Sequence, residues 1–346
     1  MKWLLCTLCI FCLLSVAFAQ QTPPNYHLVK KLAIGGDGGW DYLTFDSVAK
    51  RLYISRSSRV TVVDVTKDGK DAIVGEIPNT PGVHGIALVP GVKRGFTSNG
   101  WDNTVTVFDM ETLKEVSRVK VGTRPDAILF DSASNRVFTF NGGSNDATVI
   151  DAATAQVVGT IALGGRPEYP AADGKGMIYD NIEDKNEIVA IDAKAMTVKS
   201  HWSLAPGEGP SGLAMDQKNH RLFSVCANQK MIVLNADTGK VLATLAIGKG
   251  ADAAVFDGSA SLAFSSNGGE GTMTVVREGT PDTFTVVATV PTQVSARTMA
   301  LDAGSHMIYL AAALFAAQPA GAPAAPGVHR RPALEANTFV ILVFGP

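Results

Sequence analysis

Cysteine is scarce in this chain of 346 residues, which contains four. Cys6, Cys9 and Cys12 lie in the first apolar stretch, and the rest of the chain retains Cys226 alone. One thiol cannot form a disulfide within the body of the chain or supply the paired cysteines of a structural zinc site. We therefore exclude a disulfide-based scaffold and expect Cys226 to be a small buried residue rather than a nucleophile.

Charge and familiar enzyme motifs are also sparse. Charged residues make up 18% of the chain, the formal net charge is −2, and no basic run occurs. This balance argues against nucleic acid as the main partner. The sequence contains no Gly-x-Ser-x-Gly elbow, no P-loop and no His-Glu-x-x-His motif. It also lacks continuous apolar patterns of helical period, so we expect a β-rich protein.

Residues 1–19 have the features of a secretory signal peptide. A basic start at Lys2 precedes an apolar run that ends in Ala17-Phe18-Ala19. An N-terminal membrane anchor is the alternative, but the run is short for a span and ends in a cleavage signature. We expect a periplasmic or secreted protein in which residues 20–346 form one domain. We further expect it to be a monomer without a later membrane span.

A unit of about 42 residues recurs along the body of the chain. Its clearest copy, at 123–165, has four short β-type segments separated by turn residues. A hydrophobic triplet ends at residue 64 and recurs at spacings of 45, 42, 41, 43 and 42 residues. The first segment closes with an acidic residue in six of the seven copies, at positions 46, 131, 173, 216, 257 and 302. Four strands per unit at this period predict an all-β, seven-bladed β-propeller with four antiparallel strands per blade.

The two ends of the chain indicate how the propeller closes. Residues 28–34 resemble the outer strand at 241–247, whereas the last copy stops after its third strand at 339–344. We expect strand 28–34 to complete blade 7, which leaves no open sheet edge in the ring. Residues 316–337, rich in Ala, Pro and Gly, form a long loop insertion in that blade. The blades are expected to start near residues 41, 84, 126, 168, 211, 252 and 297.

Blade 2 carries a recognisable form of the repeat. The segments at 94–99 and 104–109, followed by Val119-Lys120-Val121-Gly122, resemble the YVTN-type β-propeller repeat. These segments are similar to the repeat of the exported YncE-like family, and the resemblance extends over nearly all of residues 20–346. It implies a propeller in the broad group of WD40-like and YVTN repeat proteins. It implies no particular reaction, because propellers host many activities.

Repeat register places one residue per blade at the start of the first strand, where the central channel opens. Six of these seven residues are ionisable, and four are carboxylic acids: Asp41, His84, Asp126, Glu168, Ser211, Asp252 and Arg297. Three interpretations follow from such a ring. The side chains can cap the strands around water, with Arg297 neutralising two acids, or they can bind a small polar ligand. They can also bind a divalent cation, for which the candidate ligands are Asp41, His84, Asp126, Glu168 and Asp252.

Other candidates lie near the same mouth. Trp40 and Trp101 can line a ligand or pack against a neighbouring blade. Register also places an asparagine after several second strands, and we expect these side chains to start turns by bonding to the backbone. These residues are Asn99, Asn141, Asn181 and Asn267. In the insertion, His329, Arg330 and Arg331 can either cover an acidic mouth or form a solvated loop.

These features favour an exported binding module that takes a small polar ligand or a protein partner at the channel mouth. The preferred interpretation is non-enzymatic. The alternative is a hydrolase or lactonase whose divalent cation, its one candidate cofactor, is held by the acidic ring and activates water.

Overall fold

The computed structural model describes residues 25–279, 282–316 and 333–346. Within these residues the strands form seven separate four-stranded antiparallel sheets. The inner strand of each sheet contacts the inner strands of both neighbours, and the seventh contacts the first. The chain is therefore a closed seven-bladed β-propeller, as the repeat predicts.

Each blade runs from an inner strand at the channel to an outer strand at the rim. Blade 1 contains β2 Leu43–Asp46, β3 Arg51–Arg56, β4 Arg59–Asp64 and β5 Ile73–Ile77. Blade 2 contains β6 Val83–Val89, β7 Arg94–Asn99, β8 Thr104–Asp109 and β9 Glu115–Lys120. Blade 3 contains β10 Pro125–Asp131, β11 Arg136–Asn141, β12 Asp146–Asp151 and β13 Val157–Ala162. Two short 3₁₀ turns, Gly69–Ala72 and Pro90–Val92, lie in blades 1 and 2.

The remaining blades repeat this order. Blade 4 contains β14 Pro167–Ala172, β15 Met177–Ile182, β16 Glu187–Asp192 and β17 Thr197–Ser203. Blade 5 contains β18 Pro210–Asp216, β19 Arg221–Cys226, β20 Lys230–Asn235 and β21 Val241–Ala246. Blade 6 contains β22 Ala251–Asp257, β23 Leu262–Asn267, β24 Thr272–Gly279 and β25 Thr283–Pro291. Blade 7 contains β26 Arg297–Asp302, β27 Met307–Ala312, β28 Val340–Gly345 and, as its outer strand, β1 His27–Ala33.

The N-terminal strand closes the ring. β1 pairs antiparallel with β28, from His27 opposite Gly345 to Ala33 opposite Val340. Expected bounds of 28–34 and observed bounds of His27–Ala33 differ by one residue, so the predicted closure is confirmed. At the base of the blade 7 insertion, Phe315 and Leu334 form an isolated antiparallel bridge. His329, Arg330 and Arg331 lie outside the described residues, as does the segment 1–19.

Apolar side chains fill the spaces between adjacent blades. The cluster between blades 3 and 4, for example, contains Phe138, Phe140, Ile178 and Ile182, all fully buried. Alternation along the inner and middle strands places these residues against the next sheet, while the outer strand β9 is mostly exposed. Cys226 is buried in the core, as expected. No helix in the described part of the chain is long and apolar enough to span a membrane.

The asparagines predicted at the ends of the second strands differ from that prediction in two ways. In blade 4 the register pairs Ile182 with Glu187, as Asn141 pairs with Asp146, so Ile182 rather than Asn181 is equivalent to Asn141. The side chains of the other three asparagines bond to the third strand instead of the backbone of a turn, and Asn181 Nδ2 donates to the backbone oxygens of Ser211 and Gly212 in the next blade. Asn99 Nδ2 donates to Thr104 Oγ1 at 3.0 Å and to Thr106 Oγ1 at 2.9 Å. Asn141 and Asn267 make equivalent pairs of bonds, which fasten the second strand to the third.

Candidate functional site: an acidic cavity on the propeller axis

One cavity of about 440 Å³ lies where the inner strands begin, and we call it the axial cavity. The seven ring residues predicted from the repeat all line it. Five further residues complete its wall: Tyr42, Arg166, Tyr169, Glu183 and Thr298. The register argument therefore identified the correct positions, whereas ligand binding by them stays a prediction.

In blades 2 to 6, a β-bulge at the start of the inner strand contains the ring position. In blade 2 the pairing of β6 with β7 jumps from Val83 to Ile86, which leaves His84 outside the ladder. Blade 3 makes the same jump around Asp126. Similar shifts in blades 4, 5 and 6 contain Glu168, Ser211 and Asp252. An unpaired bulge residue can turn its side chain away from the sheet, so the bulges direct the ring toward the axis.

Serine hydroxyl groups support the bulges where ladder bonds are missing. The backbone N–H of Gly85 donates to Ser98 Oγ at 2.8 Å, and that of Ala253 donates to Ser266 Oγ at 3.1 Å. Ser98 Oγ also donates to the backbone oxygen of Asp126 in the next blade. Ser211 makes a similar link, because its hydroxyl donates to the backbone oxygen of Asp252 at 2.8 Å. Ser211 thus acts as a bridge between blades.

Two tyrosines from blades on different sides of the ring meet in the channel. The rings of Tyr42 and Tyr169 stack with their centroids 5.0 Å apart. Tyr42 Oη donates to the backbone oxygen of Glu168 at 2.7 Å. Tyr169 also lines the next part of the channel, which is bordered by apolar residues such as Leu43 and Phe45. The tyrosine pair therefore forms the floor of the axial cavity.

His84 lies between two carboxyl groups. Its Nδ1 is 2.6 Å from Asp41 Oδ2 and 3.6 Å from Asp126 Oδ1. Burial opposes protonation of the imidazole, but the hydrogen bond to Asp41 and the charges of Asp126 and Asp41 outweigh it and raise the pKa of His84. The imidazolium form, which donates from Nδ1 to Asp41, is favoured as a result.

The carboxyl groups on the blade 3 and blade 4 side hold protons unusually well. Burial raises the pKa of Asp126 to about 6, with further contributions from Asp41 and Asp252 that oppose the lowering effect of His84. Burial, followed by the charge of Asp126, raises the pKa of Glu168 well above its ordinary value. Ionising these groups without a cation beside them is therefore costly.

Arg297 partly neutralises the opposite side of the cavity. Its Nη1 is 3.5 Å from Asp252 Oδ1 and 3.7 Å from Asp41 Oδ1. Its Nη2 donates to the backbone oxygen of Trp40. Burial opposes the charge, yet the two carboxylates outweigh burial and raise the pKa of the guanidinium. Arg297 thus pairs with two acids, as one of the three interpretations of the ring anticipates.

Acidic groups outnumber basic groups around the cavity. Its lining contains five carboxyl groups, with Glu183 added to the four of the ring, and three basic groups, namely His84, Arg166 and Arg297. Arg166 forms an ion pair with Glu183, in which Arg166 Nη2 lies 2.6 Å from Glu183 Oε2. The lining therefore has two more carboxyl groups than basic groups.

Arg166 and Glu183 were not predicted, although the sequence contains a signal for each. Arg166-Pro167-Glu168 repeats the order of Arg124-Pro125-Asp126 one blade earlier. Glu183 follows the second strand at a position that is glycine in blades 2, 3 and 6. Misplacing the blade 4 register at Asn181 concealed Glu183.

Trp40 borders a second cavity of about 520 Å³, which we call the apolar cavity. Its wall combines Trp40, Val294, Phe315 and Leu334 with several glycines, and it shares Arg297 with the axial cavity. Trp40 is 6% exposed and packs on Phe339 with ring centroids 5.3 Å apart. Its Nε1 is buried and has no hydrogen-bond partner among the described residues.

Trp101 lies on the other side of the mouth. It is 72% exposed and lines a groove of about 240 Å³ together with His84, Asp126 and Glu168. Both predicted tryptophans therefore border cavities that share residues with the ring. Trp40 both borders the apolar cavity and packs on Phe339, so lining a ligand and packing within the fold are compatible roles for it.

The cation ligands proposed from the sequence are only partly brought together. Among the described residues, Asp41, His84 and Asp126 each present one ligand atom within 4.8 Å of the others. Glu168 and Asp252 do not belong to this group. Because His84 Nδ1 is already bonded to Asp41, a cation that used this atom would have to replace that hydrogen bond.

Comparison with known proteins adds no family assignment, because no protein-family model and no curated protein matches the chain. The lining of the axial cavity is acidic, with five carboxyl groups and three basic groups.

Proposed function

We propose that this propeller is a binding module that takes a small, positively charged ligand in the axial cavity. The observation that carries the proposal is the excess of carboxyl groups over basic groups in one enclosed space on the axis. A volume of about 440 Å³ lies within the range of small-molecule sites in proteins.

Binding of a cation would relieve the cost of ionising Asp126 and Glu168. Both carboxyl groups are held toward their neutral forms by burial and by neighbouring acids. A ligand cation supplies the missing opposite charge, which lowers their pKa values and strengthens its own attraction. Binding should therefore release protons from the protein near neutral pH.

Titration calorimetry with ethylamine, guanidine and tetramethylammonium tests this function. We expect at least one cation to bind, with proton release seen as a dependence of the heat on buffer ionisation at pH 6.5. The double variant Asp126→Asn with Glu168→Gln should weaken binding at least tenfold. A matched control, Asp68→Asn with Glu111→Gln, removes the same two groups from exposed ion pairs on the surface. Absence of binding for all three cations, or equal weakening in both variants, would refute the proposal.

Hydrolysis by a bound divalent cation is the second candidate, favoured by the grouping of Asp41, His84 and Asp126. A cation held there would supply Lewis-acid activation of water. Thermal-shift titrations with Ca²⁺, Mg²⁺, Mn²⁺ and Zn²⁺ distinguish it from the first. A saturable rise in melting temperature that disappears in His84→Gln would support the cation, and no shift with any of the four would remove this candidate.

We also propose that the protein acts in the periplasm or outside the cell and belongs with the exported YncE-like propellers of YVTN type. The signal-like residues 1–19 and the repeat in blade 2 support this assignment. Mass spectrometry of the protein recovered from an expressing bacterium should find a mature N-terminus at Gln20. Recovery from the cytoplasm with residues 1–19 intact would contradict export.

A further inference from the structure

We propose that the ligand is an arylalkylamine whose amine enters the axial cavity and whose ring enters the apolar cavity beside Trp40. This inference rests on the cation binding proposed above and adds the chemistry of the rest of the ligand.

The two cavities are neighbours with contrasting linings. Trp40 and Asp41 are consecutive in the chain, yet Trp40 borders the apolar cavity and Asp41 the axial cavity. Arg297 lies on both walls, with its guanidinium carbon 5.4 Å from the centroid of the Trp40 ring. A ligand that passes along Arg297 can therefore place one end among carboxyl groups and the other among apolar side chains.

Arg297 does not prevent a cation from entering. Its charge is directed toward Asp252, Asp41 and the backbone oxygen of Trp40. The carboxyl groups of Asp126 and Glu168 make no ion pair with Arg297. The amine is therefore expected on their side of the cavity, which requires a linker between the amine and the ring.

The wall of the apolar cavity suits a flat apolar group. Gly39, Gly250, Gly268 and Gly269 contribute to it without side chains. A Cβ atom at Gly268 would lie 2.9 Å from Arg297 Cβ, so no larger residue fits there without displacing Arg297. Backbone surfaces of this kind accept an aromatic ring at close range, and Phe315 and Leu334 supply apolar contact at its edge.

A series of amines tests the inference by titration calorimetry on the full-length mature chain. Ethylamine serves as the head group alone, and phenylalkylamines with two to five methylene groups vary the span. We expect the best phenylalkylamine to bind about ten- to hundredfold more tightly than ethylamine, because the ring leaves water.

Two variants separate the contributions. Trp40→Phe keeps an aromatic ring in the wall of the apolar cavity, so it should keep most of the gain from the ligand ring. Phe315→Ala, at a partly exposed position, should reduce the gain from the ring and leave ethylamine binding unchanged. A melting curve for each variant verifies that it is folded.

The outcomes also distinguish this inference from the proposed function. If ethylamine binds but no phenylalkylamine binds more tightly, the inference is wrong and the proposed function stands. If no amine binds but guanidine or tetramethylammonium does, the inference is wrong and the proposed function stands, and if none of these cations binds, both fail. If replacing residues 317–332 with a short Gly-Ser linker raises the affinity of every phenylalkylamine but not of ethylamine, that segment is the natural occupant of the apolar cavity and the inference is wrong.

Discussion

At the scale of single residues, the axial cavity concentrates groups that bind protons more strongly in the folded chain than in the unfolded chain. The pKa of Asp126 rises from 3.8 to about 6, and those of His84 and Glu168 are also raised. Three raised values in one cavity act in the same direction on stability, because in each case the folded state takes up the proton first.

This direction predicts that the protein is more stable at pH 5 than at pH 8. Ionisation of Asp126 lowers the free energy of unfolding by up to about 3 kcal/mol at pH 8. This loss of stability disappears as the pH falls through about 6 toward 3.8. The contribution of His84 is present below 6.5 and is lost as the pH rises through its higher folded value. Denaturant unfolding followed by fluorescence at pH 5, 6.5 and 8 measures the change.

The variant Asp126→Asn with Glu168→Gln should remove most of this pH dependence and gain stability at pH 8. The surface variant Asp68→Asn with Glu111→Gln should retain it. If the wild-type protein is less stable at pH 5 than at pH 8, burial does not determine the pKa values of these groups. Below pH 4 stability should fall, because hydrogen bonds from His306 and Ser259 outweigh burial and lower the pKa of Asp257.

At the scale of strands, the inner-strand bulge explains how an ordinary propeller blade carries a site. A regular ladder would pair His84 with the second strand, and the bulge removes it from the ladder. The same holds for the equivalent residues of blades 3 to 6. Glycine or another small residue often follows the ring position, as at Gly85, Ala127, Gly212 and Ala253. A Cβ at Gly85 would lie 2.8 Å from Ile128 Cγ2, so close packing between blades requires a small residue there.

The closing strand is expected to support the whole domain. Leu32 of β1 is fully buried, whereas Leu28 of the same strand is 41% exposed. Leu32→Ala should lower the free energy of unfolding by about 2–5 kcal/mol through lost burial and a cavity. Leu28→Ala, which changes the same atoms, should cost less than about 1 kcal/mol. Urea unfolding measures both, and equal costs would show that β1 is not packed into blade 7 in solution.

At the scale of the whole molecule, the repeat explains why so much could be predicted from the sequence. A period of about 42 residues determines the blade count and brings equivalent positions to one end of the ring. Register alone is enough to place His84, Asp126 and Asp252 at the channel mouth.

The remaining parts of the site depend on what individual side chains do after the backbone is placed. Tyr42 and Tyr169 stand in a row of otherwise small residues, but only the structure shows that their rings stack. Register could not show that Arg297 would turn toward Asp252 and Asp41 while His84 turned toward Asp41 and Asp126. Rotamer choice and hydrogen bonding across blades decide these pairings.

The stacked tyrosines have a kinetic consequence. If the stacked Tyr42 and Tyr169 keep a bound molecule from crossing the channel, the molecule leaves by the mouth through which it arrived. A protein or loop that covers this opening would slow entry and departure by the same factor, and the equilibrium occupancy would not change. The residence time of the ligand would then depend on how often the cover opens as well as on the contacts in the cavity.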